Sequence, residues 1–245
     1  MRSLPLSRRI AAVFFPERCA FCDCVVLPGE AVCAKCGQTL PRQERPLCLH
    51  CGLSKSLCTC KSTATVLDAV CAPFRYEGAV KRGILRFKQA GTSLTAAHYA
   101  REIADTVRQE FEGVRFDGVT FVPMQKSELR RREYNQSEWL AREVAKRLKL
   151  PLVPTLCKTF ATKPQKEVPA AEREGNLRGA LDRLPGADVT DKCFLVVDDV
   201  CTTGATLREC ALILKIYGAS AVYGATLAKT RLERGEERGG NPSGN

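Results

Sequence analysis

Residues 198–206 combine acidic, hydroxyl and glycine residues in a spacing that suits a sugar phosphate. Asp198 and Asp199 form an acidic pair at the end of an apolar run, which is followed by Cys201 and then by Thr202, Thr203, Gly204, Ala205 and Thr206. Backbone N–H groups and hydroxyls in such a loop can surround a phosphate at a helix amino terminus. Adjacent carboxylates at a strand end are better placed to accept hydrogen bonds from two neighbouring sugar hydroxyls. The pattern therefore predicts a site for a phosphorylated ribose.

Other nucleotide motifs fit this segment poorly. The sequence contains neither the glycine-rich lysine motif of a P-loop nor the G-x-G-x-x-G of a dinucleotide fold. The main alternative is an ordinary strand-to-helix turn in which a threonine caps the helix. Capping needs only one such residue, whereas this loop has three threonines. Cys201 has two interpretations, because a helix amino terminus can lower the pKa of a thiol and make it reactive, whereas a packing role requires no such shift.

Basic and amide side chains elsewhere are candidates for the same ligand. Arginine and lysine suit phosphate oxygens, although each could also belong to a solvated basic surface. A second loop follows an apolar run that ends at Pro123, and the polar stretch 162–178 could close over a ligand. The residues assigned to the ligand outside the acidic loop are Lys88, Pro123, Arg131, Asn135 and Gln136.

The cysteines are concentrated near the amino terminus, where ten of the fourteen lie between residues 19 and 71, mostly in close pairs. Two C-x-x-C turns complete the closed tetrahedral shell of a structural zinc ion. One predicted site consists of Cys19, Cys22, Cys33 and Cys36, and the other of Cys48, Cys51, Cys58 and Cys60. For the second site, Cys24 and His50 remain possible substitutes. A closed thiolate shell leaves no position for a catalytic water.

The elements that must position these residues alternate between strand-like and helix-like patterns, which predicts an α/β fold with a mostly parallel sheet flanked by helices. Ligands bind at the carboxyl ends of the strands in such folds. Strand character is predicted at residues 67–76, 118–123, 194–197 and 221–228, and helices at 79–89, 92–111, 137–149 and 207–217. The domains predicted are 1–64 (a helix and the cysteine module), 65–230 (the α/β domain) and 231–245 (a disordered tail).

Residues 197–206 resemble the signature of type I phosphoribosyltransferases, and the whole order resembles the ComF family. The matching segments are residues 85–88, 122–124, 131–136, Gln165 with Arg173 and Asn176, and 197–206, all behind a cysteine module. The resemblance implies a double zinc ribbon, a type I phosphoribosyltransferase domain, and binding of phosphoribosyl diphosphate with Mg²⁺. It also implies a cytoplasmic protein that acts in DNA uptake with single-stranded DNA and competence proteins. Glu133 stands where the family has a glycine in the arginine-rich loop. The pair Cys58-Thr59-Cys60 is shorter than the family's last cysteine pair.

Three functions remain open for the sequence. The first is a ComF-type protein of competence, whose status as an enzyme is undecided. The second is a metabolic phosphoribosyltransferase of nucleobase salvage, which would need a base-recognition pocket. The third is a non-catalytic regulator that senses phosphoribosyl diphosphate and binds nucleic acid. The formal net charge of +11 suits a polyanionic partner, and no apolar stretch approaches the roughly 20 residues of a membrane span.

Overall fold

The computed structural model describes residues 16–60, 65–132, 134–158 and 181–231. Its centre is a five-stranded parallel sheet in the order β1-β7-β6-β3, in which β2 also pairs with β7. The strands of this sheet are β1 (Ala69–Cys71), β2 (Phe74–Arg75), β3 (Gly118–Phe121), β6 (Cys193–Cys201) and β7 (Ala221–Lys229). A separate antiparallel pair joins β4 (Leu156–Lys158) to β5 (Leu181–Arg183).

The two long central strands are apolar on both faces because helices cover both sides of the sheet. Side chains alternate along β6: Leu195 and Val197 enter one core, and Phe194 and Val196 enter the other. Most helical residues of the first core belong to three helices, α2 (Gly78–Ala90), α3 (Ser93–Glu110) and α5 (Gln136–Leu148). The second core contains residues of α6 (Ala205–Ile216). The remaining helices are α1 (Ala34–Thr39) and α4 (Lys126–Arg132), with a 3₁₀ turn at Lys55–Leu57.

The structure confirms the predicted α/β fold with a parallel sheet and flanking helices. The four predicted helices are present within one to two residues of their predicted bounds. Strand β6 is longer than predicted, because it runs on through the acidic pair to Cys201. Helix α4 and the β4–β5 pair were not predicted. The predicted amino-terminal helix, the predicted closing segment 162–178, Glu133 and nearly all of the predicted tail lie outside the described residues.

The segment with the first four predicted zinc ligands, residues 19–36, packs directly on the helices of the α/β region. Phe21 is fully buried, with its ring 5.3 Å from that of Tyr99 and 5.5 Å from that of Phe74. The hydroxyl of Tyr99 donates a hydrogen bond of 2.6 Å to the carbonyl of Ala20. Arg86 of α2 donates to that carbonyl as well, at 3.0 Å. The cysteine segment and the sheet therefore share one core, and the boundary at residues 64 and 65 stays a prediction.

Candidate functional site

The acidic pair lies at the carboxyl end of β6, held by contacts to the neighbouring helix α5. Asp198 accepts a hydrogen bond of 2.6 Å from the Ser137 hydroxyl, at the start of α5. The backbone N–H of Asp199 donates to the same oxygen, Oδ1 of Asp198, at 2.8 Å. Asp199 is buried and Asp198 is half-buried. These bonds fix the orientation of the Asp198 carboxyl.

Burial and the adjacent charge of Asp199 raise the pKa of Asp198 to about 7. Burial disfavours the charged form of a carboxyl, and a neighbouring carboxylate does the same. The hydrogen bonds from Ser137 and from the Asp199 backbone oppose this shift. Asp198 therefore changes its protonation state near neutral pH, where a carboxyl in water is fully ionised.

Lys88 is the cation that faces the acidic pair. Its ammonium nitrogen lies 2.9 Å from Oδ2 of Asp199. Lys88 occupies the last turn of α2, and the side-chain amide of Gln136 donates a hydrogen bond of 3.1 Å to its carbonyl. The Tyr134 hydroxyl donates to the preceding carbonyl, that of Phe87. These two side chains stabilise the end of α2 and so position Lys88.

Asn135 caps helix α5 and ties it to the loop after β3. Its Oδ1 accepts hydrogen bonds from the backbone N–H groups of Ser137 at 3.0 Å and Glu138 at 3.4 Å. Its Nδ2 donates to the carbonyl of Val122 at 3.2 Å. Asn135 and Gln136 were predicted as ligand contacts, and the structure gives both a structural role as well.

The loop between β6 and α6 is exposed at its threonines and leads directly into the helix. Gly204 precedes the first residue of α6 with a φ of 80°, a conformation that glycine adopts without strain. Thr202 and Thr203 are exposed, and the Thr203 hydroxyl accepts a hydrogen bond of 3.2 Å from the backbone N–H of Ala205. Lys229, a buried residue of β7, donates to the carbonyl of Thr202. The loop therefore presents hydroxyls and a helix amino terminus to solvent.

A cleft of about 360 Å³ joins the acidic pair to the other predicted segments. The predicted residues that line it are Lys88, Pro123, Asn135, Gln136, Asp198, Asp199, Thr202 and Thr206. Thr203 and Gly204 instead line a second cavity on another side of the loop. Ala205 lines neither cavity. Arg131 belongs to α4, and its side chain lies outside the described residues.

Sequence reasoning missed several residues that line the same cleft. They are Tyr76, Glu128, Ser137 and Lys158. Ser137 directly follows the predicted Asn135 and Gln136, but no motif marks a lone serine as a partner of a distant carboxylate. Arg132 donates to the side-chain oxygen of Gln136 at 3.3 Å. Arg132 belongs to the arginine-rich segment 131–136 that the sequence had already assigned to the site, whereas proximity to Asn135 was the only signal that pointed to Ser137.

Cys201 is buried beside the loop that opens α6. Burial raises the pKa of its thiol, which is the opposite of the shift that would make it nucleophilic at neutral pH. Cys201 also belongs to the core on the α6 side of the sheet. The packing interpretation of Cys201 is therefore the better one.

The eight predicted zinc ligands form two clusters. In each, the four sulfur atoms lie within 4.8 Å of one another. Tetrahedral Zn²⁺ with bonds of about 2.3 Å needs sulfur atoms about 3.8 Å apart, so both donor sets fit this ion. The backbone N–H of Cys36 points at the sulfur of Cys33 at 3.4 Å, and that of Cys60 points at the sulfur of Cys58 at the same distance. Neither cluster includes His50 or Cys24, although the Cys24 sulfur lies 3.4 Å from that of Cys22.

Comparison with known proteins defines the class first. Residues 135–241 match the phosphoribosyl transferase domain, a segment that includes the acidic pair and the loop after it. An orotate phosphoribosyltransferase of Hahella chejuensis is 36% identical over 36% of this chain and 41% of its own length. The chain thus spans less than half of that enzyme's length. The domain match itself shows that this chain contains a phosphoribosyl transferase domain.

Two relatives match over nearly their whole length. The DNA utilization protein YhgH of Salmonella typhimurium is 28% identical over 88% of this chain and 98% of its own length. Competence protein F of Haemophilus influenzae is 24% identical over the same shares of the two chains. Together with the two cysteine clusters, these matches confirm the predicted resemblance to ComF-type, phosphoribosyltransferase-like proteins. In the part of the chain that the structure describes, no helix is long and apolar enough to cross a membrane.

Proposed function

We propose that the cleft at the end of β6 binds phosphoribosyl diphosphate together with Mg²⁺. The observation that carries this proposal is the position of Asp198 and Asp199 beside the exposed loop that opens α6, in one cleft with Lys88. The loop from Thr202 to Thr206 binds the 5-phosphate through N–H groups and hydroxyls. The two carboxylates accept hydrogen bonds from the ribose hydroxyls.

The diphosphate lies on the basic side of the cleft. Lys88 and Arg132 line the cleft and supply positive charge, and Arg131 of the same helix α4 is proposed to contribute as well. Mg²⁺ prefers oxygen ligands, and the carboxylates of Asp198 and Asp199 are suitable donors within the cleft. Mg²⁺ held by these carboxylates would supply positive charge beside the diphosphate leaving group. If an acceptor attacks the ribose, the residues of the cleft position and stabilise charge and need not supply a nucleophile.

The biological setting that we propose is the handling of single-stranded DNA during competence, with other competence proteins in the cytoplasm. Support comes from the relatives named competence protein F and DNA utilization protein and from the net charge of +11. Fluorescence anisotropy of a labelled oligothymidine tests direct binding. The logarithm of the binding constant should fall with the logarithm of salt concentration, with a slope of about −0.7 for each phosphate contacted. A salt-independent signal, or none at low salt, contradicts direct binding.

Calorimetric titration with phosphoribosyl diphosphate and Mg²⁺ tests the ligand. Each of Asp198→Asn and Asp199→Asn removes a charge-assisted acceptor, so each should weaken binding by about tenfold or more. Asp105→Asn is the matched control, because Asp105 is an exposed acid of α3 that does not line the cleft. Equal affinity in all three variants, or no binding to the folded native protein, rules out the assignment. Product analysis with free bases and with single-stranded DNA then separates a transferase from a sensor.

A further inference from the structure

A second cavity, of about 230 Å³, lies between the second cysteine cluster and the loop that opens α6. Its lining residues come from three parts of the chain. These are the second cysteine cluster around His50, the segment at Leu67 and Val70 where the sheet begins, and the segments around Thr203 and Lys229. It shares no lining residue with the cleft of the acidic pair. The cavity is therefore a separate space on another side of the same loop.

Two cations line this cavity together with Cys51 and Cys60 of the second cysteine cluster, and the described lining residues include no carboxylate. Lys229 is only 4% exposed, and its ammonium donates to the carbonyl of Thr202. Arg208 lines the cavity too and donates to the carbonyl of Thr203 at 3.0 Å. Lys229 is a buried cation, which is costly without an anionic partner, whereas Arg208 is exposed. Both side chains have N–H groups beyond those used for the two carbonyls.

Two residues that line the cavity carry a buried polar atom without a hydrogen-bond partner. They are His50, at Nδ1, and Thr230, at its hydroxyl oxygen. Buried polar side-chain atoms in folded proteins nearly always have a partner. A rotation of the Thr230 side chain would turn its hydroxyl into the cavity, where it would donate to an acceptor that the two cations also contact.

The rest of the wall is apolar. It is formed by Leu53, Leu57, Leu67 and Val70. Small-molecule sites are typically concave and apolar with a few convergent polar groups, and drug-sized ligands need about 300–1,000 Å³. The occupant of this cavity must therefore be smaller, with one anionic end and a short apolar body.

We propose that this cavity binds a small organic carboxylate, with the carboxylate toward Lys229, Arg208 and the Thr230 hydroxyl and the apolar body against the leucines. The proposal does not depend on phosphoribosyl diphosphate binding in the cleft. Because Thr203 and Gly204 belong to the cavity wall, an occupant contacts the loop that is proposed to bind the 5-phosphate.

Benzoate is the probe, titrated into the full-length ¹⁵N-labelled protein without phosphoribosyl diphosphate. The amide signals of Thr203, Gly204 and Thr230 should shift in a saturable way, with a dissociation constant of about 1 mM for a ligand of this size. Benzyl alcohol has the same apolar body without the charge, and inorganic phosphate has charge without the body. Each should bind at least about tenfold more weakly than benzoate, since each lacks one half of the recognition.

Variants separate this site from adventitious binding. Arg208→Gln and Thr230→Val each remove one polar contact and should weaken benzoate severalfold, whereas Leu57→Trp should block it by filling the cavity. Arg115→Gln is the charge-matched control, because Arg115 is exposed and lines neither cavity. The amide spectrum of each variant reports whether it is folded. Absence of saturable shifts, equal binding of benzyl alcohol, or the same affinity in Arg208→Gln, Thr230→Val and Arg115→Gln would overturn the proposal.

Discussion

At the scale of single residues, Asp198 is the group whose state changes near neutral pH. Its pKa is raised to about 7 from an ordinary value of 3.8, so the folded protein holds a proton that the unfolded chain releases. The stability that this proton contributes is present at low pH and is lost as the pH rises toward 7. Above that, the carboxylate depends on Ser137 and the Asp199 N–H for its hydrogen bonds. Ser137 is thus a positioning residue for the acidic pair.

Replacing Ser137 by alanine tests this role. The hydroxyl favours the ionised form of Asp198, so Ser137→Ala should raise the pKa of Asp198 further. The free energy of unfolding should fall by about 1 kcal/mol at pH 5, where the bond is neutral, and by about 2 kcal/mol at pH 8, where it is charge-assisted. Urea unfolding at the two pH values measures the difference. Ser220→Ala, at an exposed serine, should change little at either pH; an equal loss at pH 5 and pH 8 in Ser137→Ala would contradict this account.

At the scale of elements, helix α2 connects the first cysteine cluster to the acidic pair. Gly83 lies against the cluster's backbone, since an added Cβ would stand 2.6 Å from the Ala20 carbonyl oxygen and 2.5 Å from the Tyr99 hydroxyl. One turn and a half further along, Lys88 pairs with Asp199. A shift of α2 therefore moves a cation of the proposed ligand site.

Gly83→Ala tests how closely α2 must approach the cysteine segment. Alanine favours a helix by about 1 kcal/mol over glycine, but here the contact with backbone atoms forces the elements apart, and such overpacking costs about 1–3 kcal/mol. The melting temperature should fall in Gly83→Ala. The matched control is Gly37→Ala in α1, where nothing lies within 4 Å of an added Cβ and the melting temperature should stay or rise. A fall of similar size in both variants would show that the packing of Gly83 is not the cause.

The elements that periodicity predicted correctly are those with a long, one-sided apolar pattern. Helices α3 and α5 belong to this group, because their buried faces are set by the spacing of apolar residues. Periodicity does not predict helix α4, since its sequence Lys126–Arg132 is mostly charged and has no apolar face to detect. The acidic loop was found because several residue types coincide in a few positions. The Lys88–Asp199 contact could not be found in this way, because it depends on how α2 packs on the sheet.

At the scale of the whole molecule, the cysteine clusters and the sheet form one structure. Cys19, Cys36 and Leu47 are buried in the same core as strands β6 and β7. Arg42 of the cysteine region also forms a bidentate ion pair with Glu102 of α3, at 2.8 and 3.1 Å. The motif spacing predicted the metal ligands, but it could not predict this shared core, which requires residues about eighty positions apart to meet. Metal binding should therefore contribute to the stability of the whole protein.

Metal analysis and removal test this coupling. We expect two equivalents of zinc in the purified protein, and one in each of Cys19→Ser and Cys48→Ser, because each variant loses one closed thiolate shell. Chelation should lower the melting temperature of the α/β region, read from near-ultraviolet circular dichroism of the aromatic residues around Phe21 and Tyr99. Cys157→Ser is the control, since Cys157 belongs to neither cluster and should leave the zinc content at two. An α/β region that melts at the same temperature with and without metal would show that the clusters fold apart from it, and would remove the link from the first cluster through α2 to Lys88.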